Sequence, residues 1–323
     1  MSATTLWGVS VLAALLPTCV YVLILWWLDH YEKEPRGLLL VAFFWGALPA
    51  AVLSIIAEHS LSQPLAVLGE SAAGWVSSTV TAPVVEEITK GLAVLLLFVL
   101  ARNEFDGVLD GIIYGATIGF GFAMTENVIY FVHSFEKGGA GMLTMVIFLR
   151  AFIFGMNHAL FTSVFGAALG HARTLKRGAR RWALPLLGLL GGIVLHGVHN
   201  LFAGLSGRMC FSVLLSVASD WGGVLVILVV MWLAWRQEQR WIEINLRPEV
   251  ESGLLSMDEY LVLSSYGKRA SAWWQAFNHN GLASARRLTR FTQLATELAF
   301  KLEQGDQKRA DKLRAAIVEM RRV

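Results

Sequence analysis

The sequence predicts an all-α protein: a polytopic transmembrane helical bundle of about seven spans with a helical cytoplasmic C-terminal extension. Three observations carry this. Of 323 residues, 55% are hydrophobic and only 16% charged, with a mean hydropathy of +0.56, a balance foreign to soluble domains. Apolar runs near 20 residues, the length that crosses a bilayer as helix, recur along the chain. Basic residues are divided unequally between alternate loops.

Spans are expected at about 6–28, 38–57, 76–101, 111–133, 142–170, 183–205 and 211–235. The first has no basic residue before it and no small-residue cleavage site, so it reads as a retained span rather than a signal peptide. The fifth is long enough either to extend beyond the bilayer or to break. The seventh is interrupted near its start by Asp220, Gly222 and Gly223. Odd-numbered loops hold Lys33, Arg36, Arg102, Arg173, Lys176, Arg177, Arg180 and Arg181; even-numbered loops hold only Lys137 and Arg208. The positive-inside rule then puts the N-terminus outside and the C-terminus in the cytoplasm of a multi-pass plasma-membrane protein. Cys19 and Cys210 lie in separate apolar segments and form neither a zinc–thiolate cluster nor a disulfide framework.

Residues 1–235 are expected to form the membrane core and 236–323 a helical cytoplasmic tail. The tail holds 15 Lys and Arg against 11 Asp and Glu, with apolar residues at helical spacing in 288–302 and 310–320. Its basic excess and the Trp273–Trp274 pair suit contact with anionic lipid; a solvated bundle suits the same pattern. Gly111, Gly115 and Gly119, and again Gly166 and Gly170, recur at four-residue intervals and form small faces for close helix approach.

The chemistry lies in polar groups set deep in apolar sequence. Stretch 81–98, TAPVVEEITKGLAVLLLF, holds Glu86, Glu87 and Lys90. Glu86 and Lys90, four apart, share a helix face and form either a structural ion pair or a carboxylate kept for chemistry. The next span holds Glu126 and Asn127, the next Arg150, Asn157 and His158, and the next His196, His199 and Asn200. At 1.5 Å per residue, Glu86 lies about 24 Å before Arg102, Glu126 about 24 Å beyond Asp110, His158 about 20 Å before His171 and His196 about 21 Å beyond Trp182. Helices of alternating direction therefore bring all four to one layer, in the middle to outer bilayer. Lys90 reads as the counter-charge to the glutamates, Arg150 as a snorkelling residue near the outer boundary, Asn127 as a backbone partner and His199 as a helix-contact residue.

Carboxylates with imidazoles suit general-base activation of water, with an imidazole or amide donating to an oxyanion. The same groups suit a zinc site, since His and Glu ligate zinc and a bound water would become a strong nucleophile, or a relay for protons or metal ions in a transporter. There is no H-E-x-x-H helix, and Gly204-Leu205-Ser206-Gly207 ends a span with no later span to supply a histidine base.

Glu86-Glu87-x-x-Lys90, Phe122-x-x-x-Glu126, the isolated His158 and His196-x-x-x-Asn200, in this order on consecutive spans, resemble the PrsW family of intramembrane proteases, which belongs with the CAAX prenyl endopeptidases. The acidic first loop, from Asp29 through Glu32 and Glu34 to Pro35, is similar as well. The resemblance covers about residues 20–205 and implies an intramembrane endopeptidase acting on membrane-anchored proteins, such as the first cut of an anti-sigma factor. It implies Glu86 as general base, Glu87 as its support, Glu126, His158 and His196 as holders of water or metal, and Asn200 as an oxyanion donor. It leaves zinc and a metal-free glutamate mechanism both open. Expected partners are a membrane-anchored substrate and the lipid bilayer, with no nucleic acid. Prenyl-peptide processing, ion transport and a non-catalytic scaffold are the rival readings.

Overall fold

In a computed structural model of the chain, residues 1–31, 33–102, 104–175, 178–209 and 211–322 are described. Glu32, Lys176, Arg177 and Cys210 lie outside them. Among the described residues the regular structure is all helix. The order is α1 (Ala3–Leu28), α2 (Arg36–Trp45), α3 (Ala51–Leu65), α4 (Glu70–Val76), α5 (Ala82–Leu100), α6 (Val108–Ile147), α7 (Asn157–Thr174), α8 (Ala179–Leu205), α9 (Ser212–Glu251), α10 (Met257–Leu263), α11 (Tyr266–Glu303) and α12 (Gln307–Arg322). π-Helical turns at Gly46–Ala50, Ser77–Thr81 and Phe148–Ile153 lead into α3, out of α4 and towards α7.

Five helical stretches are long and apolar enough to cross a membrane: Ala3–Leu28, Arg36–Leu68, Val108–Thr174, Ala179–Leu205 and Ser212–Glu251. This differs from the expected count of seven for two physical reasons. Three ionisable residues, Glu86, Glu87 and Lys90, interrupt the apolar run of α5. The stretch Val108–Thr174 also doubles back on itself. Within α6, Gly138 and Gly139 leave helical geometry, and Gly139 has φ of 65°, which glycine alone adopts at no steric cost. Arg150 Nη2 lies 2.5 Å from Glu126 although the two are 24 residues apart; an unbroken helix would separate them by about 36 Å. The chain therefore reverses at these glycines. It breaks again at 154–156, before α7.

The chain divides into two compact units. One comprises Met1–Leu28 and Glu34–Met231, the other Asp29–Lys33 and Trp232–Val323. The first inverts the pattern of a soluble protein. Leu12, Leu16, Leu23, Leu186, Leu190 and Leu225 are exposed, whereas Glu86, Glu87, Lys90, His158, His196 and Asp220 are buried. Apolar side chains facing outward around buried polar ones are what a lipid solvent selects. The second unit has its own apolar core, in which Ile242, Leu246, Leu263, Phe291, Leu298 and Ile317 meet.

The glycine faces set the centre of the first unit. A Cβ on Gly111 would stand 2.0 Å from the Gly166 carbonyl oxygen, one on Gly115 2.8 Å from that of Thr162, and one on Gly119 2.2 Å from that of His158. Ascending numbers on α6 meet descending numbers on α7, so the two helices run antiparallel with backbones in contact. On another face of α6, a Cβ on Gly121 would stand 2.0 Å from the Phe43 carbonyl oxygen. Helix α8 approaches α7 in the same way, a Cβ on Gly192 falling 2.5 Å from the Phe161 carbonyl oxygen.

Gly119→Ala is expected to force α6 and α7 apart beside His158 and to lower stability by about 1–3 kcal/mol, the usual cost of overpacking. Gly8→Ala, whose Cβ would meet nothing within 4 Å, is expected to be neutral or slightly stabilising. Thermal unfolding of both variants in detergent checks the contrast.

Candidate active site

Helix α5 begins with proline at its second residue, immediately after the π turn. Pro83 has no N–H to give to the carbonyls one turn back. Asn200 of α8 supplies a donor instead, its Nδ2 lying 2.8 Å from the Ser78 oxygen. One turn into α5 come Glu86, Glu87 and Lys90. Because consecutive residues project about 100° apart, the two glutamates meet different neighbours.

Glu87 is fully occupied. Its Oε1 accepts from Lys90 Nζ at 2.5 Å and from His196 Nδ1 at 3.0 Å, and its Oε2 accepts from Thr162 at 2.9 Å. Glu86 is not. Its Oε2 is buried without a hydrogen-bond partner, 3.6 Å from Lys90 Nζ, 3.7 Å from His158 Nδ1 and 3.9 Å from His196 Nε2. The partners also assign the imidazole tautomers. His196 donates Nδ1–H to Glu87, which leaves its Nε2 lone pair turned towards Glu86. His158 donates Nε2–H to Glu126 Oε2 at 2.7 Å and accepts from Lys90 Nζ at Nδ1, 3.1 Å away. The His158 and His196 ring centroids are 5.1 Å apart.

Glu126 Oε2 also accepts from Arg150 Nη2, whose Nε donates to Asn127 at 2.8 Å. Arg150 lies over the Tyr130 ring, 3.8 Å from its centroid. Arg150 is thus bonded into the site rather than snorkelling away from it, and Asn127 bonds this guanidinium rather than a backbone group. His199, partly buried, pairs with the buried Asp220 at 2.8 Å, and Asp220 leaves α9 continuous.

Glu86, Glu126, His158, His196 and Asn200 line one cavity of about 810 Å³, together with Glu58, Tyr130, Arg150, Asn157 and His199. Glu87 stands behind it, as the support of Lys90 and His196. Glu58 and Arg150 line the cavity and Asp220 pairs with its His199; sequence reasoning assigned none of these three to the site. Each lies near a span end or in an interrupted run, and the pairing of depths across helices is the signal that could have found them.

The donor set can be tested for a metal. One oxygen of Glu86 and one ring nitrogen each of His158 and His196 all lie within 4.8 Å of one another. Two imidazoles and a carboxylate are the ligand types of catalytic zinc. The partnerless Glu86 oxygen lies 3.9 Å from His196 Nε2, 3.7 Å from His158 Nδ1 and 3.6 Å from the Lys90 ammonium. The residue types therefore fit a divalent cation, provided that it displaces Lys90 from His158 Nδ1, 3.1 Å away. Glu126, expected as a ligand with the two histidines, has its near oxygen engaged by Arg150 and His158.

Lys90 is the group on which this balance rests, being fully buried among the carboxylates. Lys90→Ala is expected to leave two buried carboxylates without their counter-charge and to cost about 3–5 kcal/mol. Thermal unfolding near neutral pH measures it.

Comparison with known proteins gives one consistent answer. Residues 34–235 match the family described as PrsW family intramembrane metalloprotease. The chain is 32% identical to Protease PrsW of Geobacillus kaustophilus over 174 residues, 53% of this chain and 69% of that protein. It is 30% identical to Protease PrsW of Bacillus subtilis over 53% of this chain and 72% of that protein. To Protease PrsW of Clostridioides difficile it is 28% identical over 63% of this chain and 79% of that protein. No solved structure matches it. Its peptidase relatives, its apolar helices and the site residues they hold lead to one conclusion: the chain belongs to the PrsW family of intramembrane proteases.

Proposed function

We propose that the cavity is the place where a peptide bond of a membrane-anchored protein is hydrolysed, with Glu86, His158 and His196 as its reaction centre. The observation that carries this is the partnerless Glu86 Oε2, facing two imidazoles across less than 4 Å. A carboxylate oxygen kept from every hydrogen bond is free to take a proton from a water molecule as that water attacks a carbonyl carbon. His196, fixed by Glu87, presents its Nε2 to the same water. His158, between Lys90 and Glu126, keeps its ring orientation and helps hold the water. Lys90 balances the charge of Glu87 and so leaves Glu86 as the carboxylate that accepts the proton. Asn200 sits on the cavity wall, where its amide serves the developing oxyanion.

Glu86, His158 and His196 would also hold a zinc ion, with Glu87 as the outer carboxylate that orients His196. Bound there, the metal would supply Lewis-acid activation of water and carbonyl.

The chain is read as crossing the plasma membrane seven times, α5 and the two limbs of Val108–Thr174 each counting as a crossing. The excess of basic residues in alternate loops supports an outside N-terminus and a cytoplasmic tail. A membrane-anchored anti-sigma factor is the substrate that the family resemblance implies. Transport of protons or metal ions by the same residues has no relative behind it.

The test is cleavage of a tagged single-span protein in proteoliposomes. Glu86→Gln, His158→Ala and His196→Ala are each expected to lower the rate by about 100-fold or more; full activity in all three overturns the proposal. About one zinc per chain by elemental analysis, lost in His158→Ala and His196→Ala, with cleavage suppressed by a chelator, would assign water activation to the metal. Metal-free protein that cleaves at the same rate would assign water activation to the carboxylate alone.

A further inference from the structure

A second imidazole–carboxylate pair borders the same cavity, outside the residues that carry the family resemblance. His199 lines the cavity. Its Nδ1 is 2.8 Å from Asp220 Oδ2 and 2.9 Å from Ser216 Oγ, both on α9 and both buried. A carboxylate in the apolar run that opens α9 is costly and needs a partner. The carboxylate accepts, so the ring N–H is on Nδ1 and the lone pair is on Nε2. Asn157 Nδ2 lies 3.1 Å from Nδ1 and 3.3 Å from Nε2. Phe154 packs edge-on against the ring. Phe161 stacks on His196 at 4.9 Å and also touches His199, so one phenyl ring sets the spacing of both imidazoles.

Peptide hydrolysis needs two proton transfers, one from the attacking water and one to the departing nitrogen, and the centre described above accounts for only the first. The C–N bond breaks readily when the departing nitrogen leaves as an amine rather than as an amide anion. Among the groups facing the cavity, Glu126 is held by Arg150 and His158, His158 is bonded at both nitrogens, and His196 is tied to Glu87. Asn200 has no proton to give up. His199 has a ring nitrogen, Nε2, met only by the Asn157 amide at 3.3 Å, and, unlike Glu58 and Tyr130 on the same wall, a buried carboxylate to stabilise its charged form, the arrangement by which an imidazole shuttles a proton.

We propose that His199, positioned by Asp220, delivers the proton to the leaving amine. The proposal rests on the protease reading of the cavity. Water oxygen bonds to the carbonyl carbon and one of its protons passes to Glu86. That proton moves through solvent in the cavity to His199 Nε2, and the C–N bond breaks as the nitrogen takes it. The products are a carboxylic acid and an amine. Glu86 and His199 return to their starting states, and Asp220 stays ionised throughout.

The experiment compares two bonds in one substrate. The probe is a quenched-fluorescence peptide containing one apolar helix, with its scissile bond mapped by mass spectrometry, and its thioester analogue at that bond. A thiolate leaves without a proton, having a far lower proton affinity than an amide anion. His199→Gln is expected to slow amide cleavage by about 100-fold while thioester cleavage stays within about threefold of wild type. Asp220→Asn, which keeps the side-chain shape, is expected to shift the same ratio in the same direction. Glu86→Gln is expected to slow both substrates alike, since both need an activated water. Wild-type amide cleavage in His199→Gln overturns the proposal, as does equal loss on both substrates in either variant when it unfolds at the wild-type temperature. No cleavage of either substrate by the wild type overturns the protease reading itself, and this proposal with it.

Discussion

The site depends on one steric constraint, the absence of side chains along the contact between α6 and α7. Hydrophobic burial does not drive helices together in lipid, because the tails outside are as apolar as the side chains inside. What remains is van der Waals contact, and that grows as backbones close. Gly111, Gly115 and Gly119 bring α6 against the α7 backbone until a single methyl would collide with it. The last of the three faces the carbonyl of His158. The position of that imidazole relative to Glu126 is therefore fixed by backbone contact rather than by the polar bond itself. The hydrogen bond then forms between groups already in place and loses little to ordering.

Polar groups placed this way must still be satisfied, and the network does so with few charges. Lys90 serves Glu86, Glu87 and His158 at once, and Arg150 serves Glu126 and Asn127. Each cation lies against an aromatic face, Lys90 over Phe122 at 4.4 Å and Arg150 over Tyr130. An aromatic face stabilises a cation more strongly where water is excluded. The two cations thus hold the carboxylates of neighbouring helices at one depth, and neither could be removed without leaving a buried charge uncompensated.

Much of this was legible in the sequence, and what was not has physical causes. The depths of Glu86, Glu126, His158 and His196 follow from helical rise alone, which is why the four could be placed in one layer before any contact was known. Rotation about the helix axis is harder to read. It decides that Glu86 rather than Glu126 lies nearest both His158 Nδ1 and His196 Nε2, and that Asn200 spends an N–H on Ser78. Arg150 looked like a boundary residue because the reversal at Gly138–Gly139 and the break at 154–156 both alter its distance from the end of the span. Asp220 looked like a flaw in an apolar run because its partner, His199, lies on another helix and no spacing rule connects them.

The adjacent glutamates show how the lipid setting separates support from reaction. Glu86 and Glu87 have the same chemistry and nearly the same depth. A rotation of about 100° gives Glu87 three donors and gives Glu86 a partnerless oxygen. In a dry interior such an oxygen would be a cost without return. Next to a polar cavity of about 810 Å³ it is instead an acceptor that an entering water or cation finds free. The saturated neighbour is what makes this tolerable: by taking Lys90 and His196 to itself, Glu87 keeps them from closing over Glu86. A site of this kind needs two carboxylates in sequence, one to fill and one to leave open, and the helix supplies the angle between them.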